Sequence, residues 1–416
     1  MMDLSRRGVL SLGAAAALTT TSAAATAAPP AAKRLSANEF GAVGDGAADD
    51  TQALQAALDA TFAGREAGLL TIPPGVYRIT RTLRVETADK PAGNITHRSG
   101  ILAQGAILVS AITDGSPVVD IVSRATVRFA LIEGLQIQGN GKEGHGLNIT
   151  CEQRGRYFYN FCLRDLVVQG CGGDGCNLIS NVFEGQLFNC YFRDNRGNGA
   201  TFGHGKEDTV LSAIHVYGGV FGGNGRHGAA LVNNAYDVGF HGCYFLLNAE
   251  YGLAAGMGCT LLTNCGFENN HAKAPGFDKG GAGVRLKIFG TLVGCTAYSI
   301  YNQTHLLDAY VTNRLVMVGC TGSGDGKADH AKLVRLDGKR QANVTLIGCS
   351  GGIDTSDAID PLVLGGGQSG ARFGDKWDGP NLARLGDYRI WVDAQGQLRI
   401  KKGTPASDDD GRRVGS

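Results

Sequence analysis

Four residues at one repeated offset carry side chains that can move protons or hold charge. Asp174, Asn198, His227 and Tyr251 each stand eight residues after Leu166, Cys190, Gly219 and Cys243, and each is followed by a glycine: Gly175, Gly199, Gly228, Gly252. His145, before Gly146, extends the row at a slightly different offset, and Arg226, Glu250 and Arg196 flank it. Imidazole, phenol and carboxylate groups can take and return protons, and a guanidinium or carboxamide can steady a developing negative charge. The set suits loss of a proton from a carbon next to a carboxylate, followed by protonation of a leaving oxygen. His227 and Tyr251 are then the base and acid, with Asp174 and Glu250 as further catalytic candidates. Arg226 or Asn198 neutralises the carboxylate, and Asn198, Arg196 and His145 are the binding candidates. The same row also has a plain structural reading, because Asn, Asp and Gly are what tight turns use.

Equal offsets become neighbours in space only if the chain winds in similar coils, and a recurring phrase indicates that it does. Gly134-Leu135-Gln136-Ile137, Asp165-Leu166-Val167-Val168, Asn189-Cys190-Tyr191-Phe192 and Gly218-Gly219-Val220-Phe221 are its first four copies. It returns at Gly242-Cys243, Asn264-Cys265, Gly294-Cys295, Gly319-Cys320 and Gly348-Cys349. The second position advances by 31, 24, 29, 24, 22, 30, 25 and 29 residues. A period in that range, with short strands broken by Gly and Asn and no long helical periodicity after residue 60, predicts a solenoid of stacked β coils. Nine rungs at ~4.8 Å make a rod roughly 40 Å long.

Composition narrows the function. The 416 residues include 39 Lys+Arg and 38 Asp+Glu, a net charge of +1, so no excess cation is available for nucleic acid or an anionic membrane surface. Glycine numbers 64 against 10 prolines without a triplet period, which excludes collagen and predicts a turn-dense fold. Ser5-Arg6-Arg7-Gly8-Val9-Leu10, before an Ala/Thr-rich stretch to about Ala28, reads as a twin-arginine export signal over residues 1–32. The expected location is therefore periplasmic or secreted. Six of the 11 cysteines (Cys190, Cys243, Cys265, Cys295, Cys320, Cys349) share the column and predict an internal stack of reduced thiols. Cys171 and Cys176 lack a partner pair at zinc spacing.

Two segments carry a family resemblance. Phe40-Gly41-Ala42-Val43-Gly44-Asp45-Gly46 leads into Asp49-Asp50-Thr51 and Gln52-Ala53-Leu54-Gln55-Ala56-Ala57-Leu58, then Thr71-Ile72-Pro73-Pro74-Gly75-Val76-Tyr77-Arg78-Ile79 follows. Physically these are a helix capped by Asp49 or Asp50, and a Pro-Pro-Gly turn feeding a strand. The ordered pair resembles the N-terminal cap of the pectate lyase superfamily, which includes phage tailspikes and rhamnogalacturonase- or epimerase-like proteins. The resemblance implies an all-β, right-handed, single-stranded parallel β-helix with a short capping helix. It allows calcium as a cofactor, none being evident from the residues, and a homotrimer as the assembly.

On that scaffold the row reads as a site for an extended polysaccharide, most simply a lyase acting by β-elimination on a uronate. A hydrolase is the alternative: Gly203-His204-Gly205 and Arg285-Leu286-Lys287 are similar to pieces of polygalacturonases, with Asp174 and Asp194 as paired carboxylates. A non-catalytic glycan-binding spike or adhesin is the third reading. The expected organisation is a cap over 33–88, the β-helix over 89–365, and a C-terminal tail over 366–416. In that tail Tyr388–Asp393 and Gln397–Lys401 flank Ala394-Gln395-Gly396 as a hairpin. Ser407–Gly411 reads as a solvated turn, with a calcium loop as its alternative.

Overall fold

The computed structural model describes residues 33–414 apart from 63–67, 88–98, 204–208, 272–280, 325–331, 356–361, 365–382 and shorter stretches. The export-signal segment, His204 and Lys287 lie outside the described residues. Within them, the strands pair with strands one coil away rather than with their neighbours in sequence. Three parallel sheets of 15, 11 and 11 strands result, and each coil visits them in turn. One coil, for example, contributes Val182–Phe188 to the first sheet, Tyr191–Arg193 to the second and Ala200–Phe202 to the third. This is a parallel β-helix.

The recurring phrase marks the corner between the first and second sheets, and its composition has a conformational cause. Its first residue is left-handed in all nine copies, with φ between 51° and 75°: Gly134, Asp165, Asn189, Gly218, Gly242, Asn264, Gly294, Gly319 and Gly348. Only Gly, and Asn or Asp at modest cost, adopt that conformation readily. The next residue points inward. Gly219 also has φ +91°, and a Cβ there would lie 2.2 Å from the Cys190 carbonyl oxygen, so that copy alone has glycine at both positions.

Inside, rungs stack like on like. Phe192, Phe221, Phe245 and Phe267 pair in register across four rungs and are buried. The Phe221–Phe245 and Phe245–Phe267 ring centroids are each 4.8 Å apart, with planes 14° and 3° from parallel. That separation equals the strand spacing, so the rings stack because the coils do. Each buried ring contributes about 1.5–3 kcal/mol. The cysteine column is likewise a stack of free thiols, with Cys243, Cys265 and Cys320 donating Sγ–H to carbonyls of the preceding coils. Burial pushes the Cys190 thiol up to about 12; at Cys295 the neighbouring Cys265 thiol, ahead of burial, does the same.

The helix Thr51–Phe62 closes the N-terminal end. The Gln55 carboxamide exchanges two hydrogen bonds with the Arg84 backbone (2.8 and 2.7 Å), sealing the open edge of the third sheet's first strand, Leu83–Thr87. Asp50 precedes the helix, but its carboxylate accepts the Val43 and Gly44 N–H groups of the incoming loop, whereas Asp49 accepts from Thr51. At the other end, the predicted hairpin sits within a four-stranded antiparallel sheet: Ala383–Leu385, Tyr388–Val392, Leu398–Lys402 and Arg412–Arg413. The carboxylates of the following turn are used internally, Asp410 by the Ala406 N–H and Lys401 and Asp409 by the Ser407 hydroxyl.

Between the second and third sheets the turns are held by an asparagine ladder. Asn195, Asn224, Asn248 and Asn270 are buried on successive coils. The Asn195, Asn224 and Asn248 carboxamides donate Nδ2–H to the Oδ1 of the next asparagine at 3.1, 2.9 and 2.8 Å. Each of the four also donates to a carbonyl of the preceding coil, those of Val168, Phe192, Phe221 and Phe245. The Cys171, Asn195, Asn224 and Asn248 N–H groups return the bond to Oδ1.

Two outcomes are expected. In a thiol-labelling experiment mapped by mass spectrometry, Cys162 and Cys349, the half-buried pair, react in the native protein, while Cys190, Cys243, Cys265, Cys295 and Cys320 react only on unfolding. Asn224→Ala orphans the Asn195 N–H and the Phe192 carbonyl together. It should lower the unfolding free energy by about 2–4 kcal/mol, read from the urea midpoint, against under about 1 kcal/mol for the exposed Tyr236→Ala.

Candidate active site

The row predicted from equal offsets is a row in space. Gly146, Gly175, Gly199 and Gly228 donate their N–H to the carbonyls of Asp174, Asn198, His227 and Tyr251 at 2.9–3.0 Å. His145, Asp174, Asn198, His227 and Tyr251 therefore occupy successive rungs at the entrance to the third sheet. The ladder places them: Asn195, Asn224 and Asn248 each stand three residues before a member of the row. The turn reading of these positions needs correcting. None of the four residues that define the row, nor the glycine after it, has positive φ. The glycines are required because rungs approach so closely there. A Cβ at Gly199 or Gly228 would lie 2.5 Å from the carbonyl oxygen of the next glycine.

The row divides into two environments. In the upper half, His227 Nε2 is 3.2 Å from Glu250 Oε2, and Arg226 Nε is 3.8 Å from Glu250 Oε1. The carboxylate accepts, so Nε2 carries the proton and donates it, leaving Nδ1 bare; that atom is buried without a partner. Burial holds His227 down at about 4 against the pull of Glu250, with the cations Arg226 and Arg285 and the imidazole of His271 adding to the depression. The Tyr251 ring lies 5.8 Å from the His227 ring and 4.5 Å, edge to face, from that of His271, and the Arg285 guanidinium sits 5.5 Å from its centroid. Five of these groups come from turns of two adjacent coils and the next one up, and Arg285 from the strand Gly281–Leu286.

In the lower half the predicted residues bond to the turns themselves. His145 Nδ1 accepts the Asp174 N–H at 3.0 Å and lies 4.0 Å from Asp174 Oδ2. Asp174 accepts the Asn198 N–H (2.7 Å) and the Thr201 hydroxyl (2.7 Å). Asn198 has both ends of its carboxamide engaged, Oδ1 by the His227 N–H and Nδ2 on Thr201. It is a strut of the row rather than a free carboxylate binder. Arg196 lies over Gly141, on the side of the lower coils and apart from the His227 group. Asp194, the second carboxylate of the hydrolase reading, stands in a different column at the end of Tyr191–Arg193 and pairs with Arg193 at 2.9 Å.

The structure adds His271 and Arg285 to the upper group, and Asp120, Asn148, Asn177 and Thr201 to the lower. His271 is legible in hindsight as the residue after the last ladder asparagine. Asn148, Asn177 and Thr201 each stand three residues beyond a row member, on the same strand face. Among the described residues there is no group of three or more His, Cys, Asp or Glu placed to hold a metal ion.

Comparison with known proteins agrees with this architecture. Residues 35–130 match the rhamnogalacturonase A/epimerase, pectate lyase-like family model, and residues 297–416 match the capsule depolymerase model. Mannuronan C5-epimerase AlgE5 of Azotobacter vinelandii is 29% identical over 242 residues, which cover 48% of this chain and 23% of that protein. AlgE3 of the same organism is 29% identical over 204 residues, 39% of this chain and 11% of its own. The chain thus spans about a quarter or less of the length of these relatives. Among solved structures, ORF18 of Geobacillus virus E2 superposes with a TM-score of 0.64 at 16% identity, over 91% of this chain and 75% of its own. The enzymatically active domain of tailspike protein 2 of bacteriophage CBA120 superposes at 0.55 and 12% identity, over 76% and 48%. Fold and sequence converge: the chain is a parallel β-helix protein, similar over residues 35–130 to the rhamnogalacturonase A/epimerase, pectate lyase-like family and over residues 297–416 to the capsule depolymerase model.

Proposed function

We propose that the protein is an exported polysaccharide-processing enzyme that removes the proton next to the carboxylate of a uronate residue, most simply as a lyase. The observation that carries this reading is the pairing of a neutral, buried histidine with an exposed carboxylate, flanked by a tyrosine and an arginine on one turn edge and by a second arginine from the adjoining strand. Glu250 is the more exposed member of the pair (side chain 44%, against 13% for His227), so it meets the substrate and takes the proton, while the Nε2–H of His227 positions its carboxylate. Arg226 and Arg285 neutralise the substrate carboxylate, which acidifies the adjacent C–H and holds the resulting enolate charge. Tyr251 supplies a proton to the leaving glycosidic oxygen. The same first step, followed by return of a proton from Tyr251 to the opposite face of the carbon instead of to the leaving oxygen, inverts that carbon. The mannuronan epimerases and the capsule depolymerase model lend support to a polysaccharide substrate.

A panel of uronate-containing and neutral polysaccharides in deuterated water separates the outcomes. Absorbance of an unsaturated product marks the lyase, and deuterium uptake in uncut polymer marks an epimerase. Reducing ends without either mark a hydrolase, and binding alone marks a spike. On the active substrate, His227→Ala and Tyr251→Phe should each lower turnover at least ~100-fold with the fold retained; near-native rates in both remove the site.

The histidine also predicts a stability profile. Its folded value of about 4 lies below the ordinary 6.5. Between those values the unfolded chain holds a proton that the folded chain lacks, so stability falls as the pH drops from 6.5 towards 4. The loss in urea midpoint between pH 7.5 and pH 5 should be smaller in His227→Gln than in the native protein.

A further inference from the structure

Below the His227 group, the outer face of the third sheet carries its own polar column. Asp120, Asn148, Asn177 and Thr201 pair across successive rungs. With His145 and Asp174 they line a groove of about 480 Å³, completed by the apolar Pro117, Ile179 and Val232. Most of its polar groups are fixed from within: Asn148 Nδ2 donates to Asp120 Oδ1 at 2.8 Å, and Thr201 to Asp174 at 2.7 Å. Asn177 differs. It is 6% exposed and its Oδ1 is buried without a hydrogen-bond partner. A carbonyl oxygen so placed is destabilising until a donor reaches it.

The groove also has a sign. Its lining contains two carboxylates, Asp120 and Asp174, and neither Lys nor Arg. Arg84 comes within 3.8 Å of Asp120, but its closer partner is Glu86 at 2.7 Å. A ligand carboxylate would meet like charge with no neutralising cation, whereas hydroxyl or acetamido donors would find Asn177 Oδ1 and the carboxylates as acceptors. Asp174 and His227 are two rungs apart, about 10 Å at ~4.8 Å per rung.

We propose that this groove is a subsite for an uncharged sugar residue, so that the polymer read along the row contains neutral sugar as well as uronate rather than being a homopolymer of uronates. The assignment rests on the preceding reading only in placing the uronate at the His227 group; the groove's own preference does not need it.

Calorimetric titration of the full chain with length-matched oligosaccharides of hyaluronan and chondroitin, which alternate uronate with N-acetylhexosamine, and with oligomannuronate tests the assignment. The alternating ligands should bind at least ~10-fold tighter, the equivalent of about one satisfied buried hydrogen bond. Asn177→Leu should erase most of that advantage, and Asp120→Lys, which adds a cation without touching Asn177, should raise oligomannuronate affinity. Equal or tighter binding of oligomannuronate by the native protein, no binding of either alternating ligand, or a preference unchanged in both variants overturns the proposal. Turnover is scored separately. Alternating ligand bound through Asn177 but neither cut nor exchanged keeps the subsite and removes the catalytic reading. Turnover of oligomannuronate with no affinity for alternating ligands removes the subsite alone.

Discussion

A coil that turns a corner buries peptide groups that no sheet ladder can satisfy, and stacking coils at strand spacing multiplies the problem at every rung. The asparagine ladder is the solution here. Each carboxamide has one acceptor and two donors, enough to take an N–H from the coil below, give one N–H to the next carboxamide, and give the other to a carbonyl. Because every member leans on the one above, the corner is held in one geometry over several rungs, and so is whatever follows it by a fixed number of residues. His227 and Tyr251 inherit their positions from Asn224 and Asn248. At the foot, the buried Glu143 carboxylate takes over, accepting the Asn140, Gly141 and Gly172 N–H groups and joining two coils by other means.

The winding was legible in the sequence because one corner demands a left-handed residue. A Gly, Asn or Asp before a small apolar residue, nine times over, is hard to produce except by a repeated backbone conformation, and that same register aligned the row. The ladder was not read, although Asn195, Asn224 and Asn248 stand at a constant three residues before the row. An asparagine beside glycines looks like any turn residue until its burial is known, and burial is a property of the neighbouring coils rather than of the local string. Arg285 was legible only as part of the hydrolase-like string Arg285-Leu286-Lys287, not as a neighbour of the row. The longer interval after Asn270 breaks the offset, and Arg285 pairs with Ala254 on the strand that follows Tyr251, from where its guanidinium reaches the Tyr251 ring.

Charge is distributed unevenly along the row even though the chain as a whole is nearly neutral. Carboxylates and carboxamides occupy the rungs of His145 and Asp174; guanidinium and imidazole groups gather around His227 and Tyr251, with Glu250 as their counter-charge. Charges about 10 Å apart lie about one Debye length from each other at ordinary salt, so the two halves of the row present separate local environments rather than one averaged field. The polarity of the edge constrains the order of charged and neutral units in any polymer lying along it.

The division of labour within each turn explains how such an edge acquires chemistry at little structural expense. The asparagine three residues before the row satisfies the corner, and the glycine one residue after it makes room for the next coil. Neither requirement dictates the type of the intervening side chain, although Asp174 and Asn198 hydrogen-bond to the turns around them. Histidine, aspartate, asparagine and tyrosine all occupy that position in this one molecule without disturbing the rungs around them. The fold therefore fixes where the row's residues stand without fixing their chemistry, and elimination, inversion and binding are all compatible with it. On the proposed reading, proton removal depends on whether one rung's histidine stays neutral beside a carboxylate that substrate can reach, a local balance of burial and charge set by six side chains.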